Sequence, residues 1–310
     1  MIIEKQLKNL DNVPPKCNKK KPPRSINQSL PPLYHCFLSV GSKNSGKSYS
    51  VVKHLKNYED YPIKDCEGKI IPQRIILFSP TADSPYNPIF KTLKNLNDND
   101  IYTEYSDEIL QDVLDDIEQV KNDIEERNEY INAYKKAIKI KKLENLDEET
   151  MAILEKYNFV SPDELPQLRY EIPPTNFIIF DDMISDPKVF KKNGTDLVSK
   201  LTIKHRHKQI CLIYTTQYLK SVGPVIRKNC DIFQIFKYGD TKEVVDKFYS
   251  EISGFCKPDE FKEMYLYATE KPRNSLVIDI HPDTHISHRF KMNFDKLLLT
   301  EDRLPDLKSK

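Results

Sequence analysis

Eight consecutive residues carry the clearest chemistry in this chain of 310 residues. Gly41-Ser42-Lys43-Asn44-Ser45-Gly46-Lys47-Ser48 matches GxxxxGK[ST] throughout. The glycines let the backbone turn so that its N–H groups surround a phosphate; the lysine reaches the β- and γ-phosphates and the hydroxyl serves Mg2+. Tyr49 continues into a helix whose positive amino end faces the same anion. With only 7 glycines in the chain, such a match arises by chance about 0.002 times. A phosphate loop of this kind needs a carboxylate at the end of a neighbouring strand to hold the metal's hydration shell. Phe177-Ile178-Ile179-Phe180-Asp181-Asp182 offers one: four apolar residues, then two acids. Asp181 suits the metal, and Asp182 suits a general base that polarises an attacking water. Thr215-Thr216-Gln217 closes another apolar run. Gln217 there is placed to hold the water or sense the γ-phosphate.

These residues must be carried by a sheet. Tyr34–Val40, Arg74–Phe78, Phe177–Phe180, Ile210–Thr215, Ile232–Phe236 and Leu276–Ile280 are short unbroken apolar runs. Such runs predict parallel strands covered on both faces. Helical stretches are predicted over Lys47–Lys56, Phe190–Lys204 and Thr241–Ser250, giving an α/β fold with a mostly parallel sheet flanked by helices. Between the second and third runs lies a long charged insertion, residues 104–158. Leu110, Val113, Ile117, Val120, Ile124, Ile131, Tyr134 and Ile138 follow a heptad seam that only Arg127 interrupts, which predicts a helix of about 30 residues, near 45 Å long. Residues 97–126 hold twelve acidic groups and one lysine, whereas 127–142 hold six basic groups and one glutamate. The segment Glu148–Lys156 is expected to fold back on this seam. The insertion reads as a structural arm or subunit contact.

Residues 1–32 form a basic, proline-rich arm, with seven Lys/Arg against two acids. Residues 33–295 then form one domain around the insertion, and 296–310 a tail. The net charge of +1 excludes a wholly basic coat, although residues 188–208 carry seven Lys/Arg against one Asp, together with His205 and His207. This patch is either a solvated helix or a DNA-facing surface that contacts phosphates without reading sequence. The six cysteines are scattered without a CxxC pair, which argues against a zinc site and suits a reducing compartment. No run of 18 apolar residues exists, so no membrane span is expected, and Met1–Leu10 lacks the apolar segment of a secretory signal.

The order of motifs is informative beyond each motif alone. A phosphate loop (Walker A), then Phe180-Asp181-Asp182 (Walker B), then Lys204-His205-Arg206-His207, then Thr215-Thr216-Gln217, then Gly223-Pro224-Val225-Ile226-Arg227-Lys228-Asn229 resembles the FtsK–HerA superfamily. It looks closest to the viral genome-packaging branch, the poxvirus-type packaging ATPases of large DNA viruses. The resemblance covers about residues 34–240. It implies a P-loop NTPase fold of the RecA/ASCE type and ATP and Mg2+ as cofactors. It also implies hydrolysis of ATP to ADP and phosphate coupled to movement of double-stranded DNA into a capsid. By position, Lys47, Ser48, Asp181 and Gln217 match the family's phosphate, magnesium and sensor residues. Cellular members commonly place Glu after the magnesium aspartate, where this chain has Asp182, one methylene shorter. The implied partners are double-stranded DNA, further copies in a ring (hexamer or pentamer) and capsid or other virion assembly proteins. The implied place is the host cytoplasm at the assembly site, or the virion. In such rings an arginine reaches a neighbour's γ-phosphate; Arg206 and Arg227 are the candidates, Arg227 lying in the stretch that matches the family.

The residues leave two other classes open. One is a non-translocating nucleotide switch or assembly scaffold that acts through the insertion. The other is a small-molecule kinase with the insertion as its lid. No NKxD motif follows the core strands, which weakens a GTPase version of the switch.

Overall fold

The computed structural model describes residues 30–65, 68–82, 88–140, 146–183, 194–239, 241–252, 254–282 and 284–299, with Pro23, Ser25, Asn27 and Val189. The basic arm up to residue 22, most of the segment 184–193 and the tail from residue 300 lie outside the described residues.

Nine strands form one sheet. In chain order they are β1 (Cys36–Val40), β2 (Gln73–Phe78), β3 (Leu96–Tyr102), β4 (Thr175–Phe180), β5 (Ile210–Thr216), β6 (Ile232–Phe236), β7 (Ser275–Asp279), β8 (Phe290–Met292) and β9 (Lys296–Leu297). Across the sheet the order is β3-β2-β4-β5-β1-β6-β7-β8-β9. Every pair from β3 to β6 is parallel, and the pairs from β6 to β9 are antiparallel. The mostly parallel α/β sheet expected from the apolar runs is therefore present. Placing β5 between β1 and β4 is the arrangement of the RecA/ASCE class, and no apolar pattern reveals it. It matters chemically, because the end of β5 lies between the phosphate loop after β1 and the acids after β4.

The unbroken runs are unbroken because both faces are covered. Phe37, Ile75, Leu77, Phe177, Ile179, Cys211 and Ile213 point to one face, against Val51, Val52, Leu55 and Tyr58 of α1 (Lys47–Asp60). Their neighbours Leu38, Ile76, Phe78, Ile178, Phe180, Leu212 and Tyr214 point to the other. That second face is covered by α2 (Asp107–Lys139), α4 (Leu197–Lys204), α5 (Pro224–Asn229), α6 (Thr241–Ile252) and α7 (Pro258–Ala268).

Three expectations need correction. The run near Leu276–Ile280 is a strand but an antiparallel one, Ser275–Asp279. The helix expected from Phe190 begins only at Leu197, because the Asp196 side chain caps it by accepting from the Ser199 N–H and Gly194 sits at a left-handed φ of +70° before it; Phe190 itself lies outside the described residues. The seam of α2 also changes face. Leu110, Val113, Ile117 and Ile124 are buried as expected, but beyond Arg127 the buried residues are Tyr130 and Ala133, and Ile138 is exposed. At about 100° per residue, Tyr130 and Ala133 lie on the side of the helix opposite Leu110, Val113, Ile117 and Ile124, so the buried stripe changes face where the helix leaves the main core and meets Leu154 instead.

The first half of α2, including Leu114, packs on the main core. It is tied there by Arg74, buried between Asp100 of β3 and Asp116 of α2 at 2.5 Å each. The second half pairs with α3 (Glu148–Lys156), which folds back as expected. There Leu154 packs with Tyr130 and Ala133 in a separate small cluster, and Lys156 pairs with Glu126 at 2.8 Å. Leu154→Ala is expected to destabilise this hairpin by about 2–5 kcal/mol. Hydrogen exchange then accelerates in α3 and the distal half of α2, while the amides of β1, β4 and β5 keep their protection. Among the described residues, no helix is long and apolar enough to cross a membrane.

Candidate functional site

The phosphate loop leaves β1 at the carboxyl end of the parallel strands and enters α1 through Gly46, whose φ of +103° only glycine adopts readily. Asn44 is also left-handed, at +61°. Gly41 is needed for a different reason: a Cβ there would lie 2.5 Å from Ser45 Oγ and 2.8 Å from Phe236 Cβ. Lys47 is almost fully buried. Its Nζ donates to the carbonyls of Gly41 (2.9 Å) and Ser42 (3.2 Å) and lies 3.7 Å from Asp182 Oδ1.

Opposite the loop, Asp181 and Asp182 leave β4. Ser48 Oγ donates to Asp181, 3.2 Å from Oδ1 and 3.3 Å from Oδ2. Thr215 Oγ1 at the end of β5 donates to Asp181 Oδ1 at 2.8 Å and accepts from the Asp182 N–H at 2.9 Å. Ser79 Oγ, just beyond β2, donates to Asp181 Oδ2 at 3.4 Å. Burial raises the Asp181 carboxyl above its ordinary value, against the pull of the Thr215 hydroxyl. Asp182 has φ +53°, a left-handed conformation that short polar side chains tolerate and that concentrates at functional sites. The turn brings its carboxylate beside Lys47. The short aspartate side chain suits this left-handed turn.

The residues present fit Mg2+ and a phosphate chain. A serine hydroxyl and a buried carboxylate converge within hydrogen-bond distance, a hard-oxygen donor set of the kind Mg2+ takes. Among the described residues, Ser45 Oγ in the loop is buried with no hydrogen-bond partner, and the buried Lys47 ammonium engages only loop carbonyls and one carboxylate. An open cleft of about 1210 Å³ runs along this assembly. Lys43, Asn44, Ser45, Gly46, Lys47, Ser48, Tyr49, Asp181 and Asp182 all line it.

The other expected site residues stand apart from the cleft. Gln217 directly follows Thr216, whose carbonyl accepts from the Gly41 N–H at 3.1 Å, so it is next to the loop without lining the cleft. Arg206 lies before β5, at the opposite, amino end of the sheet, where its guanidinium binds Asp231. Arg227 in α5 donates to Glu251 Oε1 at 2.7 Å and to the Val222 carbonyl. Neither arginine meets the cleft of its own chain. Of the two patch histidines, His205 is buried with Nδ1 3.0 Å from the Ile210 carbonyl, and burial lowers it to about 4. His207 is exposed.

Sequence reasoning missed Ser79, Thr81, Lys53, Arg273, Asn274 and Asn293, of which all but Ser79 line the cleft. Ser79 was visible only as the residue closing an apolar run. Nothing in spacing signals Arg273, which reaches the loop through the antiparallel return of β7. Thr215→Val tests the support of the acids: it leaves Asp181 without its nearest donor and the Asp182 N–H without an acceptor. We expect a stability loss of about 1–3 kcal/mol in denaturant titrations and a higher Mg2+ requirement for nucleotide binding.

No family model and no curated protein matches the chain. Among solved structures, it is similar to the genome packaging NTPase B204 from Sulfolobus turreted icosahedral virus 2 in complex with AMPPCP. The two are 15% identical with a TM-score of 0.44, over 86% of this chain and 98% of that one. It is also similar to B204, the DNA-packaging ATPase from Sulfolobus turreted icosahedral virus (15% identity, TM-score 0.41, 84% and 97% covered). A third is EssC, ATPases 2 and 3, from Geobacillus thermodenitrificans (15% identity, TM-score 0.43, 89% of this chain and 42% of that one). At such distances the chain's own strand order and loop establish its fold.

Proposed function

We propose that the protein is an ATPase motor that moves double-stranded viral DNA into a capsid, binding DNA independently of sequence. The observation that carries the ATPase reading is the convergence of Lys47, Ser48, Asp181, Asp182 and Thr215, from three adjacent strand ends, on one cleft. Lys47 and the loop N–H groups neutralise and orient the phosphate chain. Ser48 and Asp181 would hold Mg2+, which when bound neutralises charge on the β- and γ-phosphate oxygens. Asp182, half-exposed beside Lys47, takes the proton of the attacking water. Gln217 is the sensor, and Arg206 or Arg227 serves a neighbouring copy in a hexameric or pentameric ring. The motor half of the reading is supported by the order of motifs and by the exposed Lys200, Lys204, Arg206 and Lys208. Capsid or other assembly proteins would be its partners, in the host cytoplasm or the virion.

Phosphate release measured with and without duplex DNA, together with sizing in ATP, tests this reading. The expected result is stimulation by AT-rich and GC-rich duplexes alike, weakening as salt rises, and a ring-sized species. One unchanged rate and a monomer with nucleotide would overturn the motor and favour the switch or scaffold.

A further inference from the structure

We infer that Arg273 binds the nucleoside-side end of the phosphate chain, its α-phosphate, from within the same subunit. The inference rests on the nucleotide reading above. Ser48 and Asp181 mark the metal, and with it the β/γ end of a bound triphosphate. Asp181 follows β4, two strands from β1 on one side, with β5 between. Arg273 precedes β7, two strands from β1 on the other side, with β6 between. Because β7 is antiparallel and its Ser275 pairs with Phe236 at the end of β6, the turn before it opens at the same end of the sheet as the phosphate loop. A phosphate chain with its γ end at Asp181 therefore runs its α end toward Arg273.

The turn is also in contact with the loop. A Cβ at Gly46 would lie 3.7 Å from Arg273 Cβ and 3.8 Å from its carbonyl oxygen. Arg273 lines the cleft and is exposed. Among the described residues its guanidinium has no hydrogen bond or ion pair, whereas Lys53, also on the cleft, is paired with Asp295. A planar guanidinium with free donors matches phosphate geometry.

The conformation of the turn is enforced from behind. Arg273 has φ +66°, unfavourable for a side chain with a Cβ. Asn293 holds the adjacent backbone: its Nδ2 donates to Asn274 Oδ1 at 2.8 Å, and its Oδ1 accepts from the Ser275 N–H at 2.8 Å and Ser275 Oγ at 3.1 Å. The fully buried Gln234 of β6 continues the chain of bonds. It donates to Ser275 Oγ at 2.8 Å and to Ser50 Oγ of α1, and accepts from Ser39 Oγ of β1 at 2.9 Å. The helix that follows the phosphate loop and the turn that carries Arg273 are thus joined through one side chain.

The test is calorimetric titration of the full chain with ATP, ADP and AMP in Mg2+. Arg273→Ala is expected to weaken all three by the same factor, about 10- to 100-fold, with part of the loss restored by Arg273→Lys and an unchanged melting temperature. Unchanged affinities would overturn the inference while leaving the nucleotide site standing. A loss confined to ATP would also overturn it, placing Arg273 at the γ-phosphate. If the wild type binds none of the three, the nucleotide reading itself fails, and the inference with it.

Discussion

Asp182→Asn is expected to keep nucleotide affinity within about threefold of wild type while lowering the rate of ATP hydrolysis about 100- to 10,000-fold. Asparagine is nearly isosteric, tolerates the same left-handed φ of +53°, and keeps the backbone N–H that donates to Thr215 Oγ1. It cannot accept a proton from water. The variant therefore removes the proposed base and leaves Ser48 and Asp181, the proposed metal ligands, in place. Lys47 retains its bonds to the Gly41 and Ser42 carbonyls, so binding persists. Single-turnover phosphate release beside equilibrium binding separates the two effects. Equal losses in both would mean that Asp182 supports the loop rather than the chemistry.

Lys47→Ala is expected to behave differently, weakening ATP binding and lowering turnover by about 100- to 1,000-fold each. Lys47 is 5% exposed, so its charge acts on phosphate through little water, whereas Lys43, the other cation of the loop, is exposed to solvent. The truncation also strips the carbonyls of Gly41 and Ser42 of their donor and leaves Asp182 beside an empty space. Binding titrations with ATP at fixed Mg2+ read the first loss, and steady-state phosphate release at saturating ATP reads the second.

The two variants act on residues legible in the amino-acid sequence, and the reason is local. The phosphate loop is contiguous, because a backbone that wraps an anion does so with neighbouring residues, and an apolar strand ending in two acids is contiguous because carboxylates able to hold a metal sit where a buried strand emerges. The strands that carry these motifs were visible for the same reason: burial on both faces removes polar residues from the whole run. What pairs distant segments was not visible. β3 reads LNDNDIY, with too many acids for a strand pattern, because Asp100 is buried against Arg74 and Arg169, and partners 26 and 69 residues away leave no local trace. The position of β5 between β1 and β4 follows from crossovers, and it is this position that makes Thr215 the link between the two acids. Arg273 lies more than two hundred residues from the loop it touches, on a turn whose shape depends on Asn293. The far half of α2 departs from the heptad seam because it leaves the main core and buries its opposite face, Tyr130 and Ala133, against Leu154 of α3, a change of partner that a repeat within one helix does not record.

The proposed motor couples this site to movement along DNA. The most direct measurement is displacement of a triplex-forming strand from duplex DNA by the wild-type protein. Displacement is expected with ATP and Mg2+, none with a slowly hydrolysed analogue, and none with Asp182→Asn. Brisk ATP hydrolysis with the triplex left intact would contradict it.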